Sequence, residues 1–293
     1  MQLTTLPDRG RPYMKTLNVN EWELSGESTF GNSYFHKENP SLMLKVLNPG
    51  MPVEEMDKEL EMATRVYNLG IRTPKPGEAV LFDGRRGMLF ERIVGKRSFA
   101  RAVGEEPDNL EYLAGEYAAM VRTLHSTQCD TAAFPSIKKL YREQVLANPY
   151  RDAALKERAV RFLDSVPDET TCIHGDMHFG NIIIAGGSSY FIDLGNFSYG
   201  YPLFDFAMMD LLIAFGKIAG PKFTEIYHCG VGDAERFWNL AVADYFGPGT
   251  DVAAKRREFM PFMAIRQLSI ETLTGMSVFP ASITGPMFES LEK

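Results

Sequence analysis

Hydrophobic and polar residues alternate along the first third of the chain in short segments separated by turn residues. Three strand candidates come first, at residues 22–28, 32–37 and 41–47. Two more, at residues 73–84 and 85–94, meet at an Asp-Gly turn. Between the two groups, residues with helical spacing share one apolar face: Leu60, Ala63, Val66, Tyr67 and Leu69. The pattern predicts three strands, a helix that ends at Gly70, and two strands.

The pattern changes after Gly95, which we interpret as a hinge. Residues 107–126 form an amphipathic helical segment, and a basic helical segment over 136–165 is interrupted by an Asn-Pro pair. A strand-rich patch follows at 171–193, and the chain is helical in character from about residue 202 onward.

These patterns predict an α+β fold with two lobes. Residues 1–94 would form a small lobe, an antiparallel sheet with one helix. Residues 95–293 would form a larger, mainly helical lobe. A cleft between two such lobes is a common place for a ligand site.

Composition narrows the classes of function. The formal net charge is −7 and the basic residues are scattered, which argues against a nucleic-acid surface. Cys129, Cys172 and Cys229 have no metal-knuckle or disulfide spacing, so we expect reduced thiols in a cytosolic protein. The most apolar stretch, 201–216, contains two aspartates and is too short to span a bilayer. We expect a cytoplasmic protein without a membrane or nucleic-acid partner.

The segment TCIHGDMHFGNIII, residues 171–184, places four polar side chains directly before an apolar strand. A hairpin is predicted next, because two apolar runs flank the Gly- and Ser-rich loop 185–189. A symmetric register about Gly187 places Asn181 opposite Asp193, with Cβ atoms ~5 Å apart. Such oxygen ligands suit Mg²⁺, which takes one or two carboxylates and completes its shell with phosphates and water.

Asp176 comes five residues before Asn181. Protein kinases carry a catalytic aspartate and a metal-binding asparagine at that separation, and their metal-binding aspartate heads a D-F-G triplet. Here the triplet is Asp193–Leu194–Gly195. The spacing fits because the base must reach the acceptor hydroxyl while the asparagine holds a metal on the transferring phosphate. The alternative for Asp176 is a turn or helix-cap aspartate.

HGDMHFGN and FIDLGNFSYGYPLFDFAMM together resemble the aminoglycoside phosphotransferase and choline kinase superfamily, small-molecule kinases with a bilobal protein-kinase-like fold. The residues that match its H-G-D-x-H-x-x-N pattern are His174, Gly175, Asp176, His178 and Asn181. Asp193 matches the family's metal aspartate. Asp205, twelve residues later, matches the aspartate of the next helix and is expected to brace the loop.

The resemblance implies a role for each matched residue. The candidate catalytic residues are Asp176, as base or hydroxyl-orienting group, and His174, whose expected part is to brace the loop. Asn181 and Asp193 are expected to hold magnesium. His178 has two open interpretations, a loop-stabilising hydrogen bond or a contact to substrate.

A kinase also needs a lysine on the third strand and a glutamate on the next helix. Alternation puts Lys45 on the strand face opposite Leu42, Leu44 and Val46, where a charge needs a partner or a phosphate. An exposed edge-strand lysine is the alternative. Glu59 is the candidate partner, because the resembling family places its glutamate at this distance before the glycine that follows the helix. Glu55 shares the face of Glu59, whereas Glu61 points elsewhere.

The segment GESTFGNS, residues 26–33, lies where a phosphate-covering loop is expected. Gly26, Ser28 and Gly31 are candidate nucleotide contacts, because small residues leave backbone N–H groups accessible to phosphate oxygens. The segment departs from the G-x-G-x-x-G pattern and would by itself be a hairpin turn. By resemblance, backbone groups of Glu91 and Ile93 are expected to meet adenine.

The predicted activity is transfer of the γ-phosphate of ATP, with GTP as the alternative nucleotide and Mg²⁺ as the metal, to a small alcohol. Residues 1–94 are expected to bind the nucleotide, and residues 95–293 to carry the catalytic groups and bind the substrate. Aminoglycoside-, choline-, homoserine- and sugar-like acceptors all stay open. Two sets of residues could favour an amine-bearing acceptor, one acidic and one aromatic. A solvated helix face explains the acidic set as well or better, and a helix core explains the aromatic set better. The two sets are the acidic residues Glu105, Glu106, Asp108 and Glu111 and the aromatic residues Trp238, Tyr245 and Phe246.

Three other classes of protein fit the sequence less well. A compact protein kinase is disfavoured, because only eleven residues separate Asp193 from Asp205, too few for an activation segment. A nucleotide-binding pseudokinase would be expected to lack a lysine, a base or a metal ligand. A helical interaction protein leaves the polar cluster unexplained.

Overall fold

The computed structural model describes residues 14–27, 31–277 and 279–292. Its backbone contacts divide the chain into two compact units. One consists of Met1–Tyr67, described from residue 14, with Pro74–Val94; the other consists of Asn68–Thr73 with Gly95–Lys293. The assignment of nucleotide and substrate binding to the two halves stays a prediction.

The described residues of the first unit form a six-stranded sheet with one α-helix. Its elements are β1 (Lys15–Leu17), β2 (Trp22–Glu27), β3 (Gly31–His36), β4 (Leu42–Leu47), α1 (Val53–Asn68), β5 (Pro76–Phe82) and β6 (Arg85–Glu91). The strand order is β1-β5-β6-β4-β3-β2. The five predicted strands and the helix are confirmed. The sheet differs from the prediction at its edge, where the short β1 pairs with β5 in parallel.

The two faces of β4 separate as the alternation predicts. Leu44 and Val46 pack in one apolar cluster with Trp22, whereas Leu47 packs in another with Met56 of α1. Lys45 therefore shares the face of β4 that packs against α1.

Helix α1 buries a narrower face than the sequence predicts. Met56, Ala63 and Val66 are buried, but Tyr67 is exposed. Successive helical residues are about 100° apart, so Tyr67 lies off the stripe that contains Val66.

The second unit is mainly helical. Its helices are α2 (Phe99–Glu105), α3 (Leu110–Ser126), α4 (Ile137–Ala147), α5 (Ala153–Ser165), α6 (Leu203–Ala219), α7 (Pro221–Tyr227), α8 (Val231–Phe246), α9 (Val252–Thr274) and α10 (Ala281–Glu289). Its strands are β7 (Arg97–Ser98), β8 (Cys172–Ile173), β9 (Ile182–Ala185), β10 (Ser188–Phe191) and β11 (Ser198–Tyr199). The strand patch between helical segments is confirmed.

One apolar cluster of this unit lies among α4, α5, α6, α9 and α10. Leu211 of α6 and Leu268 of α9 are almost fully buried in it, so both helices are held in place by their apolar faces. No helix within the described ranges is long and apolar enough to cross a membrane. The three cysteines are free and buried.

Candidate active site

The β9–β10 hairpin ends beside the polar cluster, and its register corrects the prediction. The turn has two residues, Gly186 and Gly187, both with positive φ, which is the geometry of a tight hairpin. The predicted five-residue loop is therefore wrong, and the register shifts by one. The Ile192 amide donates to the Asn181 carbonyl oxygen at 2.9 Å, so Asn181 lies opposite Ile192. Asp193 is the next residue and leaves the hairpin at the same end.

Residues 174–181, called the H-G-D loop below, turn sharply at Gly175. This residue has φ +78°, and a Cβ atom there would collide with the carbonyl oxygen of Asn196. The glycine of the motif thus permits both the left-handed turn and the close approach of the segment that follows Asp193.

Asp205 of α6 fastens the start of the H-G-D loop. Its buried carboxylate accepts the His174 amide at 2.8 Å and the Gly175 amide at 2.7 Å. The same carboxylate lies 3.0 Å from His125 Nε2, and His125 Nδ1 lies 2.9 Å from the Tyr245 hydroxyl. Because a carboxylate only accepts, Nε2 carries the proton, and a neutral His125 accepts the Tyr245 hydroxyl at Nδ1.

His174 is fully buried, and both ring nitrogens bond to backbone groups. Nε2 lies 3.0 Å from the Ile192 carbonyl oxygen, so it donates, and Nδ1 accepts the Asp176 amide at 3.3 Å. The imidazole therefore links the H-G-D loop to the hairpin, which fits the bracing role that the resemblance implies.

Asp176 projects from this loop with its carboxylate held on two sides. Asn181 Nδ2 donates to the Asp176 carbonyl oxygen at 3.0 Å and to Oδ2 at 3.2 Å. Arg266 of α9 donates from Nη2 to Oδ1 at 3.0 Å. Sequence reasoning missed Arg266, because it lies 90 residues away in a helix with no local motif.

His178 stabilises the H-G-D loop directly, since its Nδ1 accepts the Gly180 amide at 3.0 Å. Its ring also meets Tyr227 edge-on, with centroids 5.9 Å apart. Burial lowers the pKa of His178 below its usual value, although Asp176 and Asp193 act in the opposite direction. The loop-stabilising interpretation is thus observed as a contact, and a further substrate contact stays a prediction.

Asn181 and Asp193 offer oxygen atoms suited to Mg²⁺. Asn181 Nδ2 donates to Asp176, so the side-chain amide oxygen of Asn181 is the atom that can serve as a metal ligand. Asp193 is exposed and adopts left-handed backbone angles, φ 60° and ψ 60°. The described residues contain no group of three or more His, Cys, Asp or Glu side chains that could hold a metal. Two oxygen ligands with phosphates and water nevertheless suit Mg²⁺.

A cavity of about 750 Å³ in the second unit adjoins the H-G-D loop. Its wall combines apolar hairpin residues, basic side chains and the end of the loop: Ile183, Ile192, Lys96, Arg97, Arg101 and Asn181. Glu105 also lines the cavity and pairs with Arg97 and Arg101, so the wall carries charged side chains of both signs.

Two of the four acidic residues that could favour an amine bind an arginine instead. Arg97 binds Glu105 at 3.2 Å and also binds Glu106, whereas Asp108 and Glu111 are exposed. The pKa of Glu106 is lowered by hydrogen bonds from Asn109 and from its arginine partner.

The aromatic residues Trp238, Tyr245 and Phe246 pack around Phe206, with ring centroids 4.7–5.6 Å apart. Trp238 is almost fully buried. These contacts are those of a helix core.

In the first unit, Lys45 forms an ion pair with Glu59. Its Nζ lies 2.6 and 2.7 Å from the two carboxylate oxygens. Glu55 instead binds Lys58, and Glu61 binds a neighbouring arginine one turn along α1. The predicted pairing is confirmed, and its role toward a nucleotide stays a prediction.

The other predicted nucleotide contacts are placed only in part. Gly26 lies at an irregularity of β2, Gly31 opens β3, and Ser28 lies outside the described residues. The Glu91 amide donates to the Lys75 carbonyl oxygen at 2.8 Å, which leaves the carbonyl of Glu91 as its backbone group for a base. Ile93 is buried.

An H-G-D loop braced by a helix aspartate, next to a hairpin that ends in Asn181 and Asp193, is the arrangement expected of a phosphotransferase. Residues 23–238 match the model of the Phosphotransferase enzyme family, well over half of the chain, and the protein belongs to that family. A comparison with curated proteins gives no match.

Solved structures of kinases share the fold. A thermostable mutant of aminoglycoside phosphotransferase APH(4)-Ia, in a ternary complex with ADP and hygromycin B, has 12% identity, a TM-score of 0.61 and 94% coverage of each chain. Amicoumacin kinase hAmiN, in complex with AMP-PNP, Ca²⁺ and Ami, has 14% identity and a TM-score of 0.55, covering 95% of this chain and 90% of that chain.

A choline/ethanolamine kinase family protein from Mesorhizobium loti has 14% identity and a TM-score of 0.55, covering 92% of this chain and 86% of that chain. At these identities the likeness establishes the fold. The predicted α+β, kinase-like fold is confirmed.

Proposed function

We propose that the protein is an ATP-dependent kinase that transfers the γ-phosphate to a hydroxyl of a small molecule. The observation that carries this proposal is the Asp176 carboxylate, held by Asn181 at the end of the hairpin from which Asp193 emerges. Membership of the phosphotransferase family supports it. So do the similar folds of kinases whose complexes hold nucleotides with hygromycin B or amicoumacin.

In this proposal Asp176 aligns the acceptor hydroxyl and takes its proton as the hydroxyl oxygen bonds to the γ-phosphorus and the bond to ADP breaks. Lys45, oriented by Glu59, binds phosphate oxygens of the nucleotide. Asn181 and Asp193 hold Mg²⁺, which neutralises charge on the phosphates when bound.

The acceptor class stays broad within this proposal. The pairing of Glu105 and Glu106 with Arg97 removes two of the acidic groups that would select an amine. Neutral sugar-like alcohols therefore belong in a substrate panel beside aminoglycosides, choline and homoserine. Cytoplasmic location and the choice between ATP and GTP also stay predictions.

Calorimetric titration of ATP and GTP, with and without Mg²⁺, tests the nucleotide site. We expect Mg²⁺-dependent binding by the wild type and at least tenfold weaker binding by Asp193→Ala. Asp83→Ala is the matched control, since Asp83 is also an exposed aspartate with left-handed backbone angles but lies in a turn of the first unit. Equal loss in both variants, or no binding of either nucleotide to the wild type, would contradict the proposal.

Release of ADP in the presence of the alcohol panel tests the chemistry. We expect Asp176→Asn to bind nucleotide normally and to lose transfer by a factor of about 10² or more. Wild-type kinetics for this variant on a true substrate would refute the assignment of Asp176 as base.

A further inference from the structure

Arg266 is the cation nearest to the proposed base in the described contacts. Its Nη2 donates to Asp176 Oδ1 at 3.0 Å, and the two side chains are only 11% and 18% exposed. Neither the H-G-D motif nor the hairpin contains this arginine. It reaches the H-G-D loop from α9, an element that begins about 70 residues after the loop ends.

The backbone that carries Arg266 is fixed by the core. Its neighbours Ile265 and Gln267 are fully buried in α9. Because the helix backbone at Arg266 is held by the core, its hydrogen bond restrains the movement of the Asp176 carboxylate.

The charge of Arg266 is retained in spite of burial. Burial lowers the pKa of the guanidinium, but Tyr141 and Asp176 outweigh this effect and raise it above its usual value. Tyr227 and His178 also lie close enough to Asp176 for its charge to affect their pKa values. Arg266 is therefore a cation beside the carboxylate at neutral pH.

The contact differs from those of two other arginines in this unit. Arg256 binds Asp210 through Nε and Nη2, and Arg151 binds Glu271 through the same two atoms. Arg266 uses one donor toward Asp176, and its Nε is buried without a partner among the described residues. The guanidinium therefore contacts one oxygen of Asp176, and Asn181 contacts the other.

We propose that Arg266 is a positioning residue that fixes the orientation of the Asp176 carboxylate. Arg266 donates to Oδ1 and Asn181 donates to Oδ2. Rotation of the carboxylate about its Cβ–Cγ bond would therefore break both hydrogen bonds. Each carboxylate oxygen can accept more than one hydrogen bond, so a lone pair remains for the hydroxyl of the phosphate acceptor. The catalytic consequence rests on the proposed kinase function, whereas the positioning itself does not.

Hydrogen exchange of the H-G-D loop tests positioning without any substrate. We expect Arg266→Ala to raise the exchange rate of amides within residues 174–181 about tenfold, because a charge-assisted hydrogen bond is lost. Arg256→Ala is the matched control, since Arg256 lies on the same helix and pairs with the buried Asp210 of α6 instead of with a residue of the loop. It should leave exchange in the loop unchanged even where it lowers overall stability.

Kinetics give the second readout. We expect Arg266→Ala to lower kcat at least tenfold with little change in the KM for ATP, and Arg266→Lys to recover part of kcat. Added guanidinium chloride at non-denaturing concentration should also raise kcat of Arg266→Ala, whereas the same concentration of NaCl should not. A purely structural arginine would give neither the split between kcat and KM nor this rescue.

Unchanged loop exchange in Arg266→Ala, or equal changes in Arg266→Ala and Arg256→Ala, would overturn the proposal. If Arg266→Ala fails to fold, Arg266→Lys and Arg256→Lys make the same comparison with the charge retained. If the wild type binds no nucleotide, the proposed kinase function fails, yet the exchange experiment still decides whether Arg266 positions Asp176.

Discussion

Asp205 connects α6 to the H-G-D loop through two hydrogen bonds and to α3 through a third, and Asp205→Asn changes the bonding group with almost no change in volume. The carboxylate accepts the amides of His174 and Gly175 and the Nε2–H of His125. An asparagine offers one acceptor oxygen, and its NH₂ group must then face an N–H donor. If the oxygen keeps His174 and His125, the Gly175 amide is left without an acceptor.

The magnitude follows from these bonds. Losing one charge-assisted hydrogen bond costs about 1.5–3 kcal/mol, and neutralising the acceptor weakens the other two by roughly 0.5–1 kcal/mol each. A buried charge is also removed, which offsets part of the loss. We therefore expect the free energy of unfolding to fall by about 2–3 kcal/mol, with the disturbance concentrated in the H-G-D loop.

Urea unfolding and hydrogen exchange measure the two parts of this prediction. Asp210→Asn is the control, because Asp210 is also buried in α6 but is held by Arg256. Both variants should be destabilised, and only Asp205→Asn should show faster exchange in residues 174–181. If loop exchange is the same in the two variants, Asp205 does not brace the loop and the reasoning is refuted.

Three further changes have separate physical causes. Gly175→Ala should lower the free energy of unfolding by about 2–3 kcal/mol in urea, because φ is +78° and the new Cβ would meet Asn196. Burial raises the pKa of Glu271, but hydrogen bonds from its arginine and glutamine partners lower it overall. The carboxylate thus adds stability above its unfolded pKa of about 4.3 and loses it as pH falls through the lower folded value. Glu271→Gln should lower the free energy of unfolding by about 2–3 kcal/mol at pH 7. Urea titrations should show that the difference in stability between wild type and variant becomes smaller below pH 4. Lys45→Met should change stability by less than about 1 kcal/mol, because its pair with Glu59 is partly exposed, yet weaken ATP binding in calorimetry.

Short-range patterns determined much of this protein. The alternation in β4 places Lys45 on the side of α1, and helical spacing then brings Glu59 to it. The H-G-D-x-H-x-x-N spacing brings Asn181 within hydrogen-bonding distance of Asp176. The first result depends on the side-chain periods of one strand and of the helix that follows it, and the second on a separation of five residues within one loop.

The hairpin shows where a local pattern ceases to be sufficient. The sequence locates the turn, but the left-handed angles of Gly186 and Gly187 make it two residues long. The observed register differs from the predicted one by one residue, so Asn181 lies opposite Ile192 instead of Asp193. Both runs are apolar at consecutive positions, such as Ile182–Ile184 and Phe191–Ile192, so alternation does not select a register and the turn conformation distinguishes the two.

Only tertiary packing decided which distant side chains complete the candidate site. His125 reaches Asp205 across 80 residues of sequence, and Arg266 reaches Asp176 across 90. Neither residue belongs to a motif, because each is placed by the packing of its helix against the rest of the second unit. A sequence pattern specifies which face of a helix is apolar, whereas the neighbours that its few polar side chains meet depend on how all the helices pack together.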